Sequence, residues 1–196
     1  MISAPMNEFK HKAIATWSSG DYRSIATFIP PISAHLIRLV NITPDKSILD
    51  VACGNGNTAI SARKIGAKVT GLDLTPELLD QAVEEELMAE MDGIEWKQGD
   101  AEALPFEDES FDIVLSTFGH KFAPHPDLAI KEIVRVTKKG GTIGFATWPP
   151  ELSRKYVSDN CKIYRYCRSE SSSFPNGMGN SRGYPKTSHR SQRDIF

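Results

Sequence analysis

The 196-residue chain carries 23 Lys and Arg against 25 Asp and Glu, a net charge of -2, which gives no basis for nucleic acid or an anionic membrane as a partner. That near balance hides a split, since residues 1–150 hold 14 basic and 21 acidic residues whereas residues 151–196 hold 9 and 4. Cys53, Cys161 and Cys167 form no CxxC pair, no apolar run reaches bilayer length and the first residues lack a signal-peptide pattern, so a soluble cytoplasmic protein in a reducing compartment is the expectation.

Residues 6–18 and 21–40 read as helical, the second stretch divided by Pro30-Pro31. From Ser47 a regular alternation begins. SILDVAC is a strand that stops in the turn GNGN, and a helix over 58–65 follows, closed by Gly66. Its spacing turns Ala59, Ile60, Ala62 and Ile65 toward a core and Arg63 and Lys64 toward water. AKVTGLD, 67–73, is the second strand. Thr75-Pro76-Glu77 then opens a helix running to about Met91, with a hydroxyl cap, a proline where no N–H is needed and an early acid against the helix dipole.

GIEWKQGD, 93–100, and FDIVLSTF, 111–118, are the third and fourth strands. The helix from Pro126 to Thr137 has the apolar set Leu128, Ile130, Ile133, Val134 and Val136, and Lys138-Lys139 with Gly140-Gly141 are expected to end it. GTIGFATW, 141–148, is the fifth strand. After Pro149-Pro150 the pattern stops. KIYRYC, 162–167, fits either a strand or an aromatic and basic surface segment, and the serine-rich residues beyond hold too few large apolar side chains to bury themselves. The expected organisation is a helical cap over 1–40, an α/β domain over 41–150 and an irregular basic tail over 151–196. Its fold class is α/β, a doubly wound, mainly parallel sheet flanked by helices, with no legible sixth or seventh strand.

An open parallel sheet binds ligands beyond the C-terminal ends of its strands. Asp50, Asp73 and Asp100 end the first three strands and Ser116-Thr117 the fourth. Each alone has an ordinary role as a turn residue or helix cap; three acids on one rim point to a ligand. Gly54-x-Gly56-x-x-Ala59 fits the relaxed dinucleotide fingerprint, with Asp73 near the position of a ribose-binding acid, which leaves an NAD-dependent oxidoreductase as one reading. Asp50 opposes it. A pyrophosphate seeks backbone N–H groups and a helix N-terminus, whereas a carboxylate suits an ammonium or sulfonium end. The residues therefore describe a site for a nucleoside whose other end is cationic.

LDVACGNGN, VTGLDLTPELLDQA, IEWKQGDAEALPFEDESFDIVLS, FGHKFAP and EIVRVTKKGGTIGFATW stand in an order and spacing that resemble the class I S-adenosylmethionine-dependent methyltransferases. The resemblance covers about residues 20–150 and is to the small-molecule branch, which includes quinone-biosynthesis and sterol C-methyltransferases. It implies a Rossmann-like fold, S-adenosyl-L-methionine as cofactor, a small-molecule methyl acceptor as partner and no resident metal. It implies that Asp50 orders the methionine ammonium and that Ala52, Cys53, Gly54 and Gly56 form the loop beneath the methionyl and ribose portions. Asp73 would accept from the ribose hydroxyls, with Leu74 packing on adenine. Asp100 would accept from the adenine amino group while Ala101 donates its N–H to the ring. Ser116, Thr117 and Phe118 would line the wall between cofactor and acceptor, and Tyr22 would close over the cofactor, its alternative being ordinary packing on the sheet edge.

The chain also departs from that pattern. Ala52 replaces a glycine common in the family, a change that suits a backbone without positive φ, and Asn57 replaces the third glycine, where it is expected to cap the following helix. His120 is a candidate acid–base group for an oxygen or carbon acceptor, its other reading being an exposed loop histidine. The residues around Pro30-Pro31 either cover an apolar substrate or pack as helix. A basic tail in place of the last two strands threatens turnover more than binding, which leaves a weakly active or non-catalytic cofactor-binding remnant as a further reading.

Overall fold

The alternation that starts at Ser47 folds into one six-stranded sheet in the computed structural model, which describes residues 8–20, 22–147 and 162–168. Strands β1 (Ser47–Val51), β2 (Lys68–Asp73), β3 (Ile94–Gln98), β4 (Phe111–Thr117), β5 (Thr137–Thr147) and β6 (Lys162–Cys167) lie in the order β3-β2-β1-β4-β5-β6. Helices α1 (Glu8–Ser19), α2 (Tyr22–Ala26) and α3 (Pro30–Val40) precede the sheet. The crossovers are α4 (Asn57–Arg63), α5 (Pro76–Met88) and α6 (Pro126–Val136). The first five strands pair in parallel, and β6 runs antiparallel to β5. The chain winds outward from β1 to β3 and returns to β4 on the other side of β1. That reversal opens a crevice beyond the C-terminal ends of β1 and β4.

Successive strand residues point to opposite faces, and both faces are covered. Ile48, Ile113 and Leu115 pack with Leu36, Ile37 and Val40 of α3 and with Ala59 and Ala62 of α4. Leu49, Val51, Val114 and Ile143 pack on the other face with Ile133 and Val136 of α6. Helix α3 lies so close to β5 that a Cβ at Gly144 would come within 2.7 Å of Val40 Cγ1.

The division of the N-terminal stretch at Pro30-Pro31 and the first four strands match the expected pattern to within a few residues. Helix α5 ends at Met88, short of Met91. KIYRYC is a sixth strand, which corrects the expectation of a sheet without one. Ile143 pairs with Tyr166 and Phe145 with Tyr164, so alternate aromatic residues continue one core face while Ile163 joins the other. The irregular tail expected beyond it, and residues 148–161, lie outside the described residues.

Other local expectations are also corrected. No glycine turn ends α6: Thr137 Oγ1 donates to the Ile133 carbonyl at 2.6 Å and β5 begins at that residue. Lys138 reaches Asp112 at 3.0 Å instead of capping the helix. Ile65 falls beyond the end of α4 and is 39% exposed; on α6, Leu128 is 42% exposed and Ala129 takes the buried position. Thr75 is the N-cap of α5, but its hydroxyl makes no cap bond. Gly56, not Asn57, caps α4.

Candidate functional site

Beyond β1 the chain turns through left-handed backbone, with φ of 54° at Ala52, 56° at Gly54 and 85° at Gly56. Ala52 therefore does adopt the positive φ that glycine would accept freely, at a cost of about 1 kcal/mol. The turn aims the Gly54 N–H at Asp73 Oδ2, 2.8 Å away, while the Thr75 N–H donates to Oδ1 at 2.9 Å. Two backbone amides thus fix the Asp73 carboxylate on the cavity wall. Burial raises its pKa, opposed mainly by these amides.

Behind the turn stands Trp96. A Cβ at Gly56 would come within 2.5 Å of its ring, and one at Gly71 within 2.4 Å. The indole N–H donates to Glu86 Oε2 at 2.7 Å, and Glu86 Oε1 accepts the Ile94 N–H at 2.9 Å. Gly56 is thus set against the indole and away from the cavity wall.

Asp50 is treated differently from Asp73. It is 1% exposed, and no described side chain donates to either carboxylate oxygen. Burial pushes its pKa up to about 8, opposed by the Ala59 backbone amide and reinforced by Asp73. A carboxylate in such a place is costly unless a cation or a proton neutralises it. It lines a cavity of about 10 Å³ with Cys53 and Thr58, among others.

That small space shares Tyr22, Ile29, Ala52 and Thr117 with a main cavity of about 310 Å³. The β2 and β3 ends supply Asp73, Leu74, Asp100 and Ala101 to the main cavity, and α1 adds Lys10. Its remaining wall is largely apolar, with Trp17, Phe28, Ile29, Ile32, Phe118 and Phe122. Half-buried Tyr22 holds its hydroxyl where a Cβ at Gly54 would come within 2.6 Å. Trp17 meets Tyr22 and Phe122 edge-on, with ring centroids 5.9 and 5.1 Å apart, so three aromatics roof the cavity.

The other residues singled out in the sequence divide. Asp100 lines the cavity, but Oδ2 accepts Lys10 Nζ at 2.6 Å and Oδ1 accepts the Glu102 N–H at 2.9 Å. Thr117 Oγ1 lies 2.8 Å from Thr58 Oγ1, which is 2.8 Å from Ser33 Oγ. Ser116 lines neither cavity; its hydroxyl donates to the Val51 carbonyl at 2.9 Å and ties β4 to β1. His120 also lines neither. It is buried, which corrects its reading as an exposed loop residue, with its ring 4.7 Å from Phe145 and Nδ1 3.3 Å from Ser116 Oγ. Burial, with a smaller push from Lys121, lowers its pKa to about 4 and keeps the ring neutral near pH 7.

Lys10 was not foreseen. It is the one buried residue of α1, and Nζ also reaches Glu102 Oε2 at 2.6 Å. The available signal was the spacing of Lys10, Ala13 and Trp17, which shares one helix face. Among the described residues, no helix is long and apolar enough to cross a membrane.

Three acids at or beside consecutive strand ends and a glycine turn thus surround the switch point of an α/β sheet, where open sheets of this kind bind ligands. Residues 49–145 match the family described as "Methyltransferase domain". The chain is 41% identical over 140 residues to an uncharacterized protein of Mycobacterium bovis, a match covering 70% of this chain and 50% of that one. It is 39% identical over 112 residues to the demethylmenaquinone methyltransferase of Staphylococcus haemolyticus, covering 56% and 46%. A crystal structure from Bacillus halodurans with a provisional methyltransferase name superposes with a TM-score of 0.58 at 33% identity, covering 61% of this chain and 52% of that one. The chain belongs to the class I S-adenosylmethionine-dependent methyltransferases, a family that uses S-adenosylmethionine as methyl donor. It spans about half the length of the curated relatives it matches.

Proposed function

We propose that this chain binds S-adenosylmethionine at the β1–β3 strand ends and directs its methyl group to an uncharged small-molecule acceptor in the apolar part of the cavity. The buried Asp50 carboxylate, to which no described side chain donates, carries this reading, because such an acid is suited to an ammonium group and ill suited to a pyrophosphate. When bound, the cofactor supplies a sulfonium-activated methyl group. The protein's part is to align the partners and exclude water. In this reading Asp50 pairs with the ammonium and the fixed Asp73 carboxylate accepts from the ribose hydroxyls. Leu74, Asp100 and Ala101 hold adenine; Ala52, Cys53 and Gly54 form the loop beneath it all. Thr117 and Phe118 separate cofactor from acceptor, and Tyr22 with Trp17 covers them. Residues 1–40 act as the cap of the 41–150 domain. Gly56 and Ser116 act from behind the wall, and no acid–base step is assigned to His120. An acceptor of small-molecule size is supported by the demethylmenaquinone methyltransferase relative, and an uncharged one by the aromatic and aliphatic lining.

Calorimetry tests the reading: S-adenosylhomocysteine is expected to bind and NAD not to. Binding of NAD without S-adenosylhomocysteine would overturn it. Asp73→Ala is expected to weaken S-adenosylhomocysteine about 100-fold, the loss of two charge-assisted hydrogen bonds. An unchanged dissociation constant would remove Asp73 from the ribose role.

A further inference from the structure

We infer that binding at this site is an exchange of cations: the unliganded chain holds Asp50 as the neutral acid, and the incoming ligand's ammonium group drives that proton into solvent. The inference rests on the proposed nucleoside site with an ammonium end, and concerns how that site is regulated by pH.

The two buried acids share one cradle but not one environment. Asp73 receives the Gly54 and Thr75 amides, which stabilise its charged form. No described side chain donates to either Asp50 oxygen, and the residue is 1% exposed. Among the described residues, the titratable groups that face it are Tyr22 from α2, Cys53 from the turn and Asp73 from β2, each itself an acid. Helix α4 contributes only the Ala59 amide. Lys10, the cation on the main cavity wall, is engaged by Asp100 and Glu102. The adjoining space of about 10 Å³ admits about one water at most, too little to hydrate a carboxylate. A proton is therefore the neutralising cation in the unliganded chain, in keeping with the pKa of about 8. On binding, the Asp50 O–H bond breaks, the proton passes to buffer and a carboxylate–ammonium pair forms. Site and ligand together lose one proton, and no other group changes state.

S-adenosylhomocysteine serves as the probe, by calorimetry near pH 6, where its own α-amino group is fully charged. Repeating the titration in phosphate and in Bis-Tris, which differ in ionisation enthalpy, counts the protons released. About one per ligand is expected, with affinity tightening about tenfold from pH 6 to pH 7. Asp50→Asn is isosteric with the neutral acid and is expected to fold, to release no proton and to lose the pH dependence. Ligand binding by the wild type without proton release overturns the inference and leaves the cofactor reading standing. Release that persists in Asp50→Asn also overturns it, because the proton then comes from elsewhere. Failure of the probe to bind the wild type at all overturns both. Thermal melts of the unliganded proteins give an independent arm. A group whose pKa is raised on folding stabilises at low pH and loses that stability as pH rises through the folded value. The melting temperature of wild type should therefore fall relative to Asp50→Asn between about pH 6 and about pH 9, and parallel curves would overturn the inference.

Discussion

At Ala52 the backbone sits at φ 54° with its methyl group against the Cα of Gly119, so a single residue carries both strain and packing. Relieving a left-handed alanine gains more than the added chain entropy of glycine costs. Ala52→Gly is expected to stabilise by about 0.5–1 kcal/mol, read as a higher urea midpoint at unchanged m-value. At this scale the sequence was legible where chemistry is local. The acid at the end of β2 lines the main cavity and the acid before the glycines lines the small space beside it, both near the strand ends where they stand in the sequence. The φ of Ala52 was not legible, because nothing about alanine announces a left-handed turn. Lys10 was hidden for another reason: its carboxylate partner Asp100 lies 90 residues away. His120 looked exposed in a polar loop, yet Phe145 and Ser116 from neighbouring strands bury it.

Among the elements, β3 does more than extend the sheet. Its Trp96 fills the space left by Gly56 and Gly71, and Glu86 of α5 holds both the indole and the Ile94 amide. Glu86→Ala is expected to cost about 3 kcal/mol by leaving two donors unsatisfied, measured by urea unfolding. A change within about 0.5 kcal/mol would mean that the indole holds its position without Glu86. Elements defined by neighbouring residues were readable, as with Pro30-Pro31 dividing α2 from α3 and Pro76 opening α5. Those defined by distant pairing were not. KIYRYC is a strand because Tyr164 and Tyr166 stand opposite Phe145 and Ile143, and the α6–β5 junction is closed by a threonine side chain that no glycine signal describes.

For the molecule as a whole, the cap and the sheet are joined in different ways. The strands, α3, α4 and α6 meet through two apolar clusters, whereas the one buried residue of α1 is a lysine. Helix α1 is tied down by Lys10 to Asp100 and Glu102, by Ser18 to Glu77 at 2.7 Å and by the edge contacts of Trp17. Such polar ties yield a segment of low local stability over a stable core. Lys10→Met is expected to speed proteolytic cleavage within residues 8–20 about tenfold, with cleavage of the sheet unchanged, as followed by mass spectrometry. Equal cleavage in both proteins would show that the ion pairs do not hold the helix.

The two indoles have an optical consequence. Trp17 forms part of the cavity roof and Trp96 underlies the glycine turn, so the ligand space lies near chromophores from two separate layers. One has Tyr22 and Phe122 at its edges, the other a carboxylate on its N–H, and emission wavelength follows such surroundings. With Trp148, the third tryptophan, replaced by phenylalanine, this pair turns the unlabelled protein into its own fluorimeter.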